Sequence, residues 1–440
     1  MKELIFPYPH VVSALDQYYK VKSSFSTKSS RRKKRKSRRR NRKTKTMEGT
    51  PKKNLSILIA TFWDYPHTGG LSNYITTLKE GLTALGHHVD VISPAQFPER
   101  KVTKLREIVV PELKEFFTDR YGSCSSKILQ STRLLYIYEQ MMKSINLKKY
   151  DILHAQDIFT ANILGRFNEE YNKPLLFTPH GMFTFSRVKF NRIQKGSVEE
   201  SYYLQTERQA IQYASHIVVI SDSFRTPLES LGAKQENMTT INTGISMNTR
   251  PKVKANQQKL ILSCVARLGP RKGHTYMFDA LAKIKKFTKN VEVLIVGDGE
   301  MRSALEAQVK NLQLDNVHFL GKRDDVPEIL SKTDIFILPT INDNLPISII
   351  EAMHSGTAVI STNCGGIPEL IQDKITGILV EPADAKSLAK QIQLLIKSPS
   401  HRQSLGENAQ LYAQKHLTSE AMVSGIFKQY ISLLTGKEEE

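Results

Sequence analysis

Two carboxylates stand eight positions apart in PTINDNLPISIIEAMHSG (339–356): Asp343 and Glu351. The preceding run DIFILP (334–339) reads as a strand, so residues 340–345 form a loop at its carboxyl end, the edge where open parallel sheets bind ligands. Pro346 suits the first position of the next helix, where its missing N–H is no loss. Ile347 and Ser348 then offer free amides at the positive end of a helix dipole, a natural seat for phosphate. Asp343 lies before that start and Glu351 more than one turn inside. One carboxylate is thus placed for the hydroxyls of a sugar beyond a diphosphate. The other is placed for the diol of a ribose behind it. Plainer readings stand beside these: Asp343 as a helix-entry residue, and Glu351 as the partner of a structural arginine, since an unpaired buried carboxylate is costly.

Two neighbouring segments carry compatible chemistry. VARLGPRKG (265–273) supplies Arg267 and Lys272 across a Gly-Pro turn, and two cations suit a diphosphate that gains charge as it leaves. Arg267 could also simply close a sheet edge. NCGGIPEL (363–370) sets Gly365 and Gly366 ahead of a Pro-started helix, where glycine lets backbone approach a ligand. In HAQD (154–157), His154 and Asp157 stay open between acceptor contact and structure. His87-His88 reads as a turn before a strand, and Asp324-Asp325 as a surface loop, not a metal pair.

The elements that must position these residues alternate. LSILIAT (55–61) is followed by a Gly69-Gly70 turn and a helix with apolar residues at Leu71, Ile75, Leu78, Leu82 and Leu85. Strand–helix pairs recur through HVDVIS, DILHAQ, LLFTPHG and HIVVISD, then start afresh after residue 256 with LILSCVARLG and VEVLIVGDG. Short Val/Ile/Leu-rich runs separated by helices predict parallel sheets covered on both faces. Two such series in 440 residues predict an α/β protein with two Rossmann-like, doubly wound domains. Their expected spans are 47–250 and 257–420, with 246–258 as the linker region. A last helix over 421–440 shows an apolar stripe at Met422, Ile426, Tyr430, Leu433 and Leu434.

The net charge of +20 is uneven. Residues 1–46 hold 16 Lys or Arg against 2 acids, and the rest of the chain 47 against 41. Twelve of the fifteen residues 31–45 are basic. Such a run has no apolar face to bury, so residues 1–46 are expected to be a disordered basic tail. Its use is either a tether to an anionic membrane surface or acidic polymer, or none. Met47 opens a stretch that would serve as a start of the folded part. No window is apolar for long enough to span a membrane, and the three cysteines, Cys124, Cys264 and Cys364, form no CxxC pair. A cytoplasmic, reducing location is expected.

HTGGLSNYITTLKEGLTALGHHVDVIS, FTPHG, ARLGPRKG, DNLPISIIEAMHSGTAVIST and CGGIPELIQDKITGILVEPADAKSLA together resemble the motif series of the family 4 retaining glycosyltransferases. The resemblance runs in order from about residue 55 to 435. It implies the GT-B architecture, with the active site between the domains and a UDP- or GDP-sugar as donor substrate, no cofactor and no metal. By position, Gly69 and Gly70 face the donor phosphates, His180 lies near the transferred sugar, and Arg267 and Lys272 bind the diphosphate. Ile347 and Ser348 give amides to it, with Gly365 and Gly366 beside them. Asp343 takes the first acidic position of the family's Glu-x7-Glu motif, at the sugar, and Glu351 the second, at the ribose. The last helix crosses back to the N-terminal domain.

This sequence departs from the pattern in three places. Asp343 is one methylene shorter than Glu, Pro346 replaces a frequent Gly, and Thr243-Gly244 replaces Asn-Gly. The resemblance implies transfer with retention to a glycan, lipid-linked or protein-associated acceptor whose surface comes from segments such as 97–145 and 182–200. Three other classes stay in view: a scaffold relative recruited by its tail, a nucleic-acid-associated protein in which the tail dominates and whose salt-sensitive binding would be lost on deleting residues 1–46, and a glycoside hydrolase, which lacks a second acid flanking a scissile bond.

Overall fold

The computed structural model describes residues 8–21, 54–67, 69–123, 125–246 and 259–436. Its first sheet contains β1 (Ser56–Ala60), β2 (His88–Ile92), β3 (Ile152–Ala155), β4 (Leu175–Phe177), β5 (His216–Val219) and β6 (Met238–Thr240). They run in the order β2-β1-β3-β4-β5-β6 with every neighbouring pair parallel. The second contains β7 (Leu260–Val265), β8 (Val291–Val296), β9 (Val317–Gly321), β10 (Ile335–Leu338), β11 (Ala358–Thr362) and β12 (Ile378–Val380). Its order is β12-β11-β10-β7-β8-β9, again wholly parallel.

Both central strands β3 and β10 are buried along their whole length, which is why they read as unbroken apolar runs and not as alternation. Each sheet has its own core. Strand order reverses between β1 and β3 in the first sheet and between β7 and β10 in the second. Those two switch points open the crevices in which an α/β sheet binds ligands.

The helix Ser419–Thr435 leaves the second domain and completes the first. Met422, Val423, Ile426 and Tyr430 are buried in the N-terminal core, and the Tyr430 hydroxyl meets His154 Nδ1 at 2.7 Å. Leu434, placed on the apolar stripe from sequence, is exposed because the helix runs past the core it covers. The chain therefore enters and leaves the second domain close together, where Ile245 pairs with Thr418.

The expectation that residues 1–46 are uniformly disordered fails at its first part. Pro9–Tyr19 is a helix, and Tyr8, Val11, Val12 and Leu15 are buried against the helix Val198–Tyr213. Polar contacts lock it. The Tyr8 hydroxyl donates to Glu139 at 2.6 Å, and Arg120 grips Asp16 with two bonds of 2.7 and 2.6 Å. Net charge masked this segment: the basic residues cluster beyond it, and PHVVSALDQYY read alone is an amphipathic helix. The basic run 31–45 and residues 247–258 of the expected linker lie outside the described residues.

Leu15→Ala is expected to lower the stability of the N-terminal domain by about 2–5 kcal/mol, while Tyr18→Ala, at an exposed site, changes it by less than about 0.5 kcal/mol. Urea unfolding followed by circular dichroism reads both. Equal midpoints for the two variants would mean that the helix is not docked.

Candidate active site

The loops after β7 and β10 meet at the second switch point. The loop after β7 turns through a short helical segment Pro270–Lys272 into the helix His274–Lys283. Gly273, at φ 74°, makes this possible: a Cβ there would lie 1.9 Å from the Pro339 carbonyl oxygen. The Arg271 carbonyl accepts from Thr340 Oγ1 and from the Ile341 amide, both at 2.8 Å. These bonds bring Lys272 Nζ onto Asp343 Oδ2 as a largely buried ion pair. Arg267 is displayed outward and pairs with Glu300 at 3.0 Å. Arg267 and Lys272 line one cleft of about 360 Å³ together with Arg271. Glu351 is not among its lining residues.

The helix after the loop spans Ile347–His354, with Pro346 as its N-cap and not its first helical residue, so it starts one residue later than the sequence suggested. The Ile349 amide is taken by the Pro346 carbonyl at 3.0 Å, and the amides of Ile347 and Ser348 take no backbone acceptor from the loop. Glu351 sits one turn in. It forms no ion pair or side-chain hydrogen bond among the described residues, and desolvation pushes its carboxyl up to about 7. A structural arginine, the plainer reading, is therefore not what holds it.

Gly365 and Gly366 serve the same loop. A Cβ at Gly365, φ 56°, would lie 1.7 Å from the Asp343 carbonyl oxygen, and one at Gly366 2.6 Å from that of Asn344. The backbone they admit is that of the Asp343–Asn344 loop, which they press into place.

The first domain faces this arrangement. Gly70 starts the helix Gly70–Ala84 behind Gly69, and a Cβ at Gly70 would lie 3.6 Å from Ile347 Cδ1. His180, in the loop after β4, accepts a bond at its carbonyl from Asn344 Nδ2 across the cleft at 3.3 Å. Its Nε2 meets Gln156 Oε1 at 2.9 Å, and its ring stands edge-on to Tyr74. Burial lowers its pKa to about 3, so the imidazole is neutral. A second cavity of about 250 Å³ is lined by Trp63, Gln156 and His180 with Arg271 and Asn344 of the opposite domain.

Comparison with known proteins fits this geometry. The model for "Glycosyltransferase Family 4" matches residues 68–249, and that for "Glycosyl transferases group 1" matches residues 246–412. Together they span both halves of the cleft. The chain belongs to the family 4 glycosyltransferases. The 2-deoxystreptamine N-acetyl-D-glucosaminyltransferase of Niallia circulans is 23% identical over 390 residues, 84% of this chain and 98% of that one. N-acetyl-alpha-D-glucosaminyl L-malate synthase of Bacillus anthracis is 36% identical over 146 residues, 33% of this chain and 38% of that one. Among solved structures, sucrose-phosphate synthase of Thermosynechococcus elongatus aligns with a TM-score of 0.70 at 22% identity, over 87% of this chain and 100% of that one. Anabaena HepE, solved with UDP and glucose, gives 0.64 at 19% identity, over 86% and 100%. These structural likenesses establish the GT-B fold.

In this glycosyltransferase His154 and Asp157 are structural. His154 is fully buried between Tyr430 and Thr178, and burial, with His180 nearby, lowers its pKa to about 3. Asp157 caps the helix Ile158–Tyr171 by accepting from the Phe159 and Thr160 amides. Gln156 and Asp157 of HAQD both line the second cavity; the Gln156 Nε2 is buried with no hydrogen-bond partner among the described residues, while its Oε1 orients His180. Arg187, Arg271 and Asn344 also line the cleft. Arg271 and Asn344 stand inside motifs whose neighbours drew attention. Arg187 had no signal beyond its place in a segment expected to vary. Asp325 is held by Arg323 at 2.6 Å in its own loop.

The sign of the Glu351 shift gives a stability test. A carboxyl whose folded pKa lies above its ordinary 4.5 costs no stability below that pH. The cost grows as pH rises toward the folded value. Glu351→Gln removes it, so the variant is expected to exceed the parent by about 2–3 kcal/mol at pH 8 and to match it near pH 4.5. Denaturant unfolding at the two pH values reads the difference; a gain that is the same at both would refute the assignment.

Proposed function

We propose that the chain is a metal-independent, retaining hexosyltransferase. It takes sugar from a nucleoside diphosphate, a UDP-sugar first and a GDP-sugar second, and gives it to a hydroxyl on a glycan or lipid-linked acceptor. One observation carries this reading. Lys272, Arg267 and Arg271, the free amides of Ile347 and Ser348, and Asp343 converge at one switch point, opposite a neutral His180 on the other domain. The relatives whose printed names are transferases of N-acetylglucosamine, and the neighbour solved with UDP and glucose, support the donor class.

The chain's groups divide the work as follows. The helix tip and the cations hold the diphosphate and offset the charge that develops on it. The bond from the anomeric carbon to the phosphate oxygen breaks, and its electron pair leaves with the nucleoside diphosphate. The acceptor oxygen bonds to that carbon from the same face, and its proton passes to the departing phosphate oxygen. Asp343, held by Lys272, is placed for a sugar hydroxyl. His180, kept neutral by burial and fixed by Gln156, can hydrogen-bond the sugar without adding a charge. Glu351, already desolvated, regains hydrogen bonds when a ribose diol reaches it.

A panel of nucleotide sugars, scored by release of nucleoside diphosphate and by the anomeric proton coupling of the product, tests the proposal. Asp343→Ala is expected to reduce kcat by about 100-fold or more. Glu351→Ala is expected to weaken UDP binding by about 10-fold or more. Inversion of the anomeric centre would overturn retention, and undiminished release by both variants would remove them from the site.

A further inference from the structure

On the donor half of the cleft Lys272 pairs with Asp343 and Arg267 with Glu300, and Arg271 makes no ion pair among the described residues. The acceptor side is built differently. A third cavity of about 340 Å³ in the N-terminal domain adjoins the other two. Its floor is aromatic and tightly built, with the Phe62 and Phe159 rings 4.6 Å apart and Phe159 edge-on to Phe183 at 5.2 Å. Its mouth is apolar and exposed at Trp63 and Leu134. A pure sugar site would not need so much apolar wall.

Two guanidinium groups stand at the junction. Arg187 lines all three cavities, and Arg192 lines the first and third. Arg187 lies flat over the Phe183 ring, 3.4 Å from its centre, and makes no ion pair or side-chain hydrogen bond among the described residues. Its partial burial lowers its pKa from the usual arginine value. Arg192 makes no ion pair among the described residues, although its charge reaches Glu300 across the first cleft, and its backbone carbonyl accepts from Lys127 Nζ at 2.7 Å. Glu207, a buried acid whose charge attracts Arg187 without pairing with it, accepts from the Phe183 and Thr184 amides with one oxygen, fixing the helix that presents Arg187, and its other oxygen has no hydrogen bond among the described residues. A partly desolvated guanidinium whose N–H groups meet no carboxylate directly keeps unspent donors, and its planar fork matches phosphate.

We propose that the acceptor of this transferase is an amphiphile bearing a phosphate, with the phosphate on Arg187 and Arg192 and the apolar portion along Phe62, Trp63 and Leu134. The proposal rests on the transferase reading above. The same phosphate chemistry comes from a lipid headgroup or from a water-soluble organic phosphate, and the test separates the two.

Trp63 is the chain's single tryptophan and lines this cavity, so its fluorescence reports occupancy. The full chain, saturated with UDP, is titrated with geranyl phosphate in detergent, geraniol, glucose 6-phosphate and glucose. UDP affinity is measured separately by calorimetry. Each phosphate is expected to bind at least tenfold more tightly than its unphosphorylated counterpart. Arg187→Gln is expected to remove that preference, Arg187→Lys to restore part of it, and Arg192→Gln, at an exposed residue with no fold to lose, to reduce it. Tighter binding of geranyl phosphate than of glucose 6-phosphate supports an amphiphile with a lipid-like apolar portion, and the reverse order overturns the apolar half of the proposal. Equal binding with and without phosphate overturns the proposal. So does a loss of UDP affinity in Arg187→Gln as large as the loss of phosphate binding, since that places the arginine on the donor. Absence of UDP binding in the parent chain, with the phosphate preference intact, counts against the transferase reading alone.

Discussion

The buried pairing of Lys272 with Asp343 fixes the geometry on which the cleft depends. It joins the loops after β7 and β10, the two strands between which the second sheet reverses its order. A parallel sheet alone leaves those loops free to splay. Here they are fastened by the ion pair, by two bonds to the Arg271 carbonyl, and by glycines that admit backbone where a side chain would clash. The pair also neutralises charge that would be expensive if left alone away from water. On the proposed reading, a diphosphate at the helix tip would meet Lys272 already positioned, so little side-chain freedom would be lost on binding.

The same loop makes the contact between domains. Asn344, next to Asp343, reaches the His180 carbonyl. Farther along, Glu369 accepts from Ser221 Oγ at 2.6 Å and from the amides of Asp222 and Ser223 at 2.8 and 3.0 Å. These are few and polar, in contrast to the apolar helix Ser419–Thr435, whose buried stripe belongs wholly to the first domain. A sparse polar clasp at the cleft beside a permanent apolar tie behind it is the arrangement that permits hinge motion. The crossing at Ile245 and Thr418, where the chain passes between domains twice, is the natural pivot.

Much of this was legible in the sequence, for a physical reason. Strands buried on both faces are written as unbroken apolar runs, so β3 and β10 and the alternation around them could be read directly. Strand-end positions of Asp343, Lys272 and His180 followed from that register. What stayed hidden depends on tertiary neighbours. Nothing local says that Gln156 and Asp157 of HAQD line the cavity while His154 points into the core; the Tyr430 hydroxyl that holds His154 there arrives from 276 positions away. The helix Pro9–Tyr19 was obscured because charge counted over 46 residues outweighed an apolar face of four. Arg187 carries no motif; that it lines all three cavities without an ion pair among the described residues is a property only the fold reveals.

The electrostatics of the two walls then differ in kind. On the donor wall each cation but Arg271 already has a carboxylate, and the ligand must compete for it. On the acceptor wall Arg187 and Arg192 have none among the described residues, and Glu351 on the donor side is a carboxylate without a cation. Natural proteins tolerate such uncompensated groups where a ligand completes them. On the proposed reading Glu351 would be completed by neutral hydroxyls, which need no counter-charge and would leave the diphosphate to the cations. Arg187 and Arg192, which feel Glu207 and Glu300 without pairing with them, would be completed by an anion. A closed cleft holding donor and acceptor together would thus satisfy each wall separately, with neither substrate able to occupy the other's seat at comparable cost.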